Sequence, residues 1–241
     1  TAPSSLALAC TATAISGFVA LVYEVAWTRL LALVLGPTTY AFATMAAAFI
    51  TGIAIGSAAG ARPARRTPRP GFWLALTLMF GAVAATSAAW FAAARVPLMV
   101  AAAVAAPGAA FGPIVFWQAF GTVLLLLPTT MALGAAFTLA LAVASGASDS
   151  SIGRDVALVY AANTLGAITG ALVGGFVLVP QLGLRATFHA TAIFGVIGGG
   201  ACLAATLRSA RARGLRAGAL GAVFATAAGV AILMLPPWDR D

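Results

Sequence analysis

The stretch FWLALTLMFGAVAATSAAWFAAA, residues 72–94, decides the fold: it runs 23 residues without a charge. As a helix rising about 1.5 Å per residue it measures about 35 Å, enough to cross a hydrocarbon core of about 30 Å. Outward in both directions the pattern repeats, with apolar stretches of span length separated by short polar or Pro/Gly-rich joints. Hydrophobic residues make up 62% of the 241 and charged ones only 7%. That balance cannot supply a water-soluble surface, so lipid is the main solvent. The expectation is an all-α integral membrane protein, a single polytopic domain over 1–241.

The first run, Leu6 to Leu35, is about 45 Å long as one helix. It must tilt, or its second half must lie in the interface. After the Gly36-Pro37 break comes a second span over 40–60, closed by Arg62, Pro63, Arg65, Arg66 and Arg69. Span three is 72–94. Between Arg95 and Pro113 the chain is mildly apolar but punctuated by prolines, which suits a re-entrant or interfacial segment. A fourth span over 114–144 carries Pro128, which removes a backbone donor and kinks a helix, so one long bent span is expected. The polar loop from Ser145 to Asp155 offers Asp149 or a serine as a cap for the next helix. Spans five, six and seven follow at 157–179, 186–207 and 217–235, with a turn at Pro180 to Gly183. The chain begins at Thr1, and its first apolar stretch is too long for a signal-peptide core, so it reads as a retained span.

All thirteen basic residues are arginine, against five acids. In a soluble protein this excess would suggest nucleic acid. Here Arg62, Arg65, Arg66, Arg69, Arg154, Arg208, Arg211, Arg213 and Arg216 fall in three short loops, so the asymmetry is a topology signal and no nucleic-acid partner is expected. Seven crossings put these loops on one side, with the N-terminus cytoplasmic, the C-terminus outside, and Arg95, Arg185 and Arg240 opposite. The expected location is a bacterial inner membrane. Cys10 and Cys202 sit in apolar stretches with no CxxC motif, so free thiols are expected and no metal or cofactor.

Gly52, Gly56 and Gly60 recur at four-residue spacing, as do Gly166, Gly170 and Gly174. Such a stripe lets another backbone approach closely, and both read as helix-packing seams.

The segment Leu21-Val22-Tyr23-Glu24-Val25-Ala26-Trp27-Thr28-Arg29, followed by Leu35 to Phe42 and the first glycine stripe, resembles the N-terminal membrane region of spermidine-synthase-like fusion proteins. A second segment, Leu158 to Ala167 with Tyr160 and Asn163, continuing through Gly174, Phe176, Pro180 and Arg185, is similar to that family's second signature. The resemblance implies an aminopropyltransferase-like domain after the membrane region, beyond Asp241. No Gly-rich strand-to-helix loop for a nucleotide-like substrate occurs in this chain, so aminopropyl transfer cannot be placed on its residues. The family is also described as transporter-like, and Gly60 to Arg66 faintly resembles a major-facilitator loop, lacking its acidic residue.

An ionisable group deep in a span costs about 3 kcal/mol on insertion scales, so each asks for a role. Glu24 has three readings: a structural ion pair, a carboxylate that binds a cation or relays protons, or part of an interfacial segment from Tyr23 to Arg29. Partnering by Arg29 of a bent helix or by Asn163 is expected. Asn163 reads first as an interhelical hydrogen-bonding amide, and His189 as a satisfied imidazole. The candidate binding set is Tyr23, Glu24, Trp27, Arg29, Tyr160 and Asn163; no catalytic residue is assigned. Three functions follow: a noncatalytic membrane module that anchors or feeds a soluble aminopropyltransferase-like partner, a permease half for a small cationic substrate, and an accessory subunit seated by its glycine seams on other membrane subunits or a second copy.

Overall fold

A computed structural model of the chain describes residues 5–35, 38–95, 97–98, 101, 105, 111–145 and 152–209, with 223, 227, 229 and 232. Among these every regular element is helical, with no strand. The helices are α1 (Ser5–Leu35), α2 (Thr39–Arg66), α3 (Pro70–Ala94), α4 (Phe111–Ala144), α5 (Ile152–Val173) with a π-helical turn at Gly174–Leu178, and α6 (Val179–Ser209). Five apolar stretches are long enough to cross a bilayer: Ser5–Leu33, Thr39–Arg66, Pro70–Ala94, Phe116–Ala144 and Ile152–Arg208.

The last of these, 57 residues, would measure about 85 Å if straight. It is not straight. Gly183 takes φ 76° and ψ 171°, a conformation only glycine adopts freely, and breaks the helix there. The packing shows that the chain reverses at this point. Going up α1, Ala14, Phe18 and Val22 meet Gly166, Gly170 and Gly174, so α5 runs parallel to α1. Beyond Gly183 the order inverts: Ile15 meets Gly198, Phe18 meets Phe194 and Tyr23 meets Phe188, so α6 runs antiparallel to α1. The turn expected at Pro180 to Gly183 is thus made by its last residue. A count of seven spans is not reached by these helices; nearly all of 217–235 lies outside the described residues, as do most of the proposed re-entrant piece, the Gly36-Pro37 joint and the loop with Asp149.

The remaining pairs follow from the same reading. Gly52, Gly56 and Gly60 lie against Thr130, Met131 and Ala135, so α2 and α4 are parallel. Helices α3 and α6 are antiparallel, with Gly71 on Thr206, Ala75 on Gly199 and Ala82 near Gly195. Two apolar cores stack along the bundle. One gathers Tyr23, Trp27, Met45, Phe49, Ala89, Leu126 and Phe188, the other Ala12, Leu74, Met79, Leu139, Val159 and Cys202. Successive limbs therefore alternate in direction. Arg62, Arg65, Arg66, Arg69, Arg154 and Arg208 end up at the second core's end, and Arg29, Arg95 and Arg185 at the first.

Local chemistry explains most boundaries. Thr38 caps α2, its hydroxyl accepting from the Ala41 N–H at 3.2 Å. Pro70 occupies the first turn of α3, where its missing N–H costs nothing. Helix α2 does not stop at Gly60 but continues through Pro63 to Arg66, the Thr67 N–H closing on the Pro63 carbonyl at 2.9 Å. Helix α4 stays one helix across Pro128. Helix α1 has no interfacial half: Val22, Tyr23, Ala26 and Trp27 are fully buried in the bundle.

Both glycine stripes are packing seams, as read. A Cβ on Gly56 would strike the Met131 backbone, and one on Gly170 the Phe18 backbone. Main chain cannot step aside as a side chain can. We expect Gly56→Leu and Gly170→Leu to cost on the order of 1–3 kcal/mol or more, the range for overpacking. Ala54→Leu and Ala58→Leu, on exposed positions of α2, should be near neutral in detergent thermal denaturation; equal effects at all four sites would refute the seams.

Candidate functional site

The two seams are α1 on α5 and α2 on α4, and a cleft of about 340 Å³ lies where they meet. Each wall is one of these four helices. From α1 come Ser16, Gly17, Leu21 and Glu24, from α2 Ala46, Phe49, Ile50, Ile53 and Ser57, from α4 Leu133, Gly134 and Phe137, and from α5 Tyr160, Asn163 and Ala167. Most of this lining is apolar, with a few polar groups converging on one space, the usual make-up of a small-molecule site.

Glu24 is half-buried. Among the described residues its carboxylate has neither an ion-pair nor a hydrogen-bond partner. The expected partners are both accounted for: Arg29 is exposed and unpaired with it, and Asn163 lines the same cleft without bonding it. The reason is angular. Five residues along a helix turn the side chain by about 140°, which carries Arg29 away from the face that holds Glu24. The Asn163 side chain likewise has no hydrogen-bond partner among the described residues, while its main-chain carbonyl fills the notch at Gly17.

Of the other polar groups of the cleft, Ser57 is committed. Ser57 donates to the Gly134 carbonyl at 3.2 Å, and its own carbonyl accepts from Thr138 Oγ1 at 3.3 Å, two hydrogen bonds that tie α2 to α4. Tyr160 is exposed and sets its ring edge-on to Phe137 at 4.9 Å.

No family model matches the chain, and no curated protein or solved structure is significantly similar to it. The chemistry of the site therefore stands on its own residues.

Of the six residues read as a binding set, three line the cleft: Glu24, Tyr160 and Asn163. Tyr23 and Trp27 do not. They lie on the adjoining face of α1 and both pack on Phe188 of α6, Tyr23 stacked at 5.8 Å and Trp27 edge-on at 5.3 Å. Their Oη and Nε1 are buried without a hydrogen-bond partner among the described residues. Thr86, a polar neighbour of the Tyr23 hydroxyl, donates its own proton to the Ala82 carbonyl at 2.9 Å and keeps its lone pairs for a donor. His189 is satisfied by the Arg185 carbonyl at 2.8 Å from Nδ1. No cluster of three metal-ligating side chains occurs among the described residues, and both cysteines are free.

Reading the sequence alone missed Ser16, Gly17, Ser57 and Gly134. A signal existed for Gly17 alone, the one glycine of α1, whose partner helix carries a triplet; Gly134 shares α4 with Gly112 and Gly121. The pairing itself is visible only in three dimensions.

An orphan hydroxyl in an apolar core carries a desolvation cost that its removal relieves. Tyr23→Phe, which keeps the stack on Phe188, should leave the detergent melting temperature unchanged or raise it, by up to about 1 kcal/mol in stability. A clear loss of stability would reveal a working partner for the hydroxyl, with Thr86 Oγ1 the nearest candidate acceptor.

Proposed function

We propose that the chain is a membrane-embedded binding module that holds a small cationic ligand, of the protonated-amine class, on Glu24 in the cleft between the glycine seams. The observation that carries this reading is the half-buried carboxylate with no partner of opposite charge. An isolated carboxylate among apolar helices is costly, and either a proton or a bound cation removes the cost. A purely structural ion pair, the first of the sequence readings, lacks its second member among the described residues.

The rest of the lining suits such a ligand. Asn163 offers an amide carbonyl to N–H donors, and the Tyr160 and Phe137 rings can receive a cation on their faces. The apolar walls fit an aliphatic spacer. The resemblance of residues 21–42 and 158–185 to spermidine-synthase-like fusion proteins supports the same class, since such a module would anchor or feed a soluble aminopropyltransferase-like partner without catalysing transfer itself. In this proposal the arginine-rich end faces the cytoplasm, by the positive-inside rule, and 217–235 supplies a seventh crossing that puts the C-terminus outside.

Binding to purified protein in nanodiscs, read by calorimetry with 1,4-diaminobutane, tests the site. Wild-type protein should bind, and Glu24→Gln should lose at least about tenfold in affinity, a 1.4 kcal/mol change, with its melting temperature intact. Equal affinity in the two proteins would overturn the assignment. Orientation is tested separately: cysteines at Arg65 and Arg208 should both label from the cytoplasmic face, and one at Arg185 from the other.

A further inference from the structure

Exchanging helices α1 to α3 for α4 to α6 preserves the main packing pairs of the bundle, with one difference: α1 touches α3, whereas α4 and α6 do not meet among the described residues. Replacing α1 by α4, α2 by α5 and α3 by α6 turns the α2 seam on α4 into the α5 seam on α1. It turns the packing of α3 against α4 into that of α6 against α1, and it leaves the pair of α3 and α6 as it is. Glycine positions follow the same exchange. Gly166, Gly170, Gly174 and Gly195 each lie 114 residues beyond Gly52, Gly56, Gly60 and Gly81. Their partners keep step: Phe18, Val22 and Val19 meet Gly170, Gly174 and Gly195, and Met131, Ala135 and Ala132, each 113 residues further on, meet Gly56, Gly60 and Gly81.

The two units have opposite orientation. Helix α1 starts at the arginine-rich end and α4 at the other, so the axis relating the units lies in the plane of the membrane. It passes through the meeting of the seams, where the cleft is. Because the two units share their main contacts but differ in others, with α1 on α3 and α4 apart from α6, letting each take the conformation of the other gives a second arrangement of similar energy in which the cleft faces the opposite side. We infer that residues 5–95 and 111–209 are inverted copies of one three-helix unit, and that the cleft opens alternately to the two faces, which makes the module a carrier for its ligand. The identity of that ligand rests on the cationic reading above; the alternation does not.

The lining provides two reporters at different depths. Ser57 lies toward the arginine-rich end, and Ala46 toward the other. In a Cys10→Ala, Cys202→Ala background, Ser57→Cys and Ala46→Cys are made singly and together. Membrane-impermeant maleimides are applied to oriented proteoliposomes from each face, after a check that each variant elutes as a single species. Ser57→Cys should react from the arginine-rich face and Ala46→Cys from the opposite one. In the double variant a bulky maleimide on either site should hold that mouth open and slow labelling of the other at least about fivefold, because the two openings belong to different states. Labelling of both from one face, or two-sided labelling with rates that ignore each other, would overturn alternation in favour of a fixed funnel or pore. If mutual exclusion holds and 1,4-diaminobutane changes neither rate, the carrier inference stands and the cationic-ligand reading fails.

Discussion

The bundle depends on backbone touching backbone: Gly170 against Phe18, Gly56 against Met131. In lipid no hydrophobic force drives one helix onto another, because the tails are as apolar as the side chains. What remains is van der Waals contact, which grows as axes approach, and interhelical hydrogen bonds. Glycine triplets supply the first on both seams; the Ser57 and Thr138 hydroxyls add the second between α2 and α4, and Thr13, donating to the Val159 carbonyl at 3.4 Å, adds it between α1 and α5. Both seams join parallel helices, which cannot be neighbours along the chain. The connections from α1 to α5 and from α2 to α4 must pass through the rest of the bundle, and so the seams set the topology as well as the stability.

The cleft is a by-product of that choice. Helices within a seam are drawn together at their glycines, but across the seams Phe49, Leu133 and Phe137 stand between the pairs and hold them apart. The space left is bordered by the small residues Gly17, Gly134 and Ala167, whose lack of bulk leaves the neighbouring Glu24 and Asn163 side chains uncovered. Polar groups thus sit beside a gap in the packing, where a ligand can replace protein as their partner.

Much of this was legible in the sequence. Span positions were readable because hydropathy is a local property, and the seams because a glycine every fourth residue marks one face of a helix whatever it meets. The turn at Gly183 followed from Pro180 and its glycine. The faces were not legible. Lipid-facing Leu165 and Leu172 and core-facing Leu74 and Leu139 are the same residue type, so polarity does not say which side of a membrane helix looks inward. That is why Tyr23 and Trp27 were grouped with Glu24 as one binding set, and why Gly17 and Gly134 went unnoticed. The helix bound at Pro63 was misread for another reason: proline ends helices often, but α2 was already past its apolar segment there and carries its arginines on one more turn.

Helix α1 shows how one segment serves packing and binding at once. Gly17, Leu21 and Glu24 lie along one face of the helix; Tyr23 and Trp27, about 100° and about 60° around the axis from Glu24, lie along the adjoining one. The first face borders the cleft and the second closes on Phe188 of α6. The aromatic pair contributes nothing to a ligand directly. Its large rings fix the rotation of α1 about its own axis, and that rotation aims Glu24 at the cleft instead of at lipid. A carboxylate held this way keeps its charge exposed to whatever enters, and the fold has no need to neutralise it with a partner of its own. The motif from Tyr23 to Trp27 therefore reads as a carboxylate and the clamp that orients it, on adjoining faces of one helix.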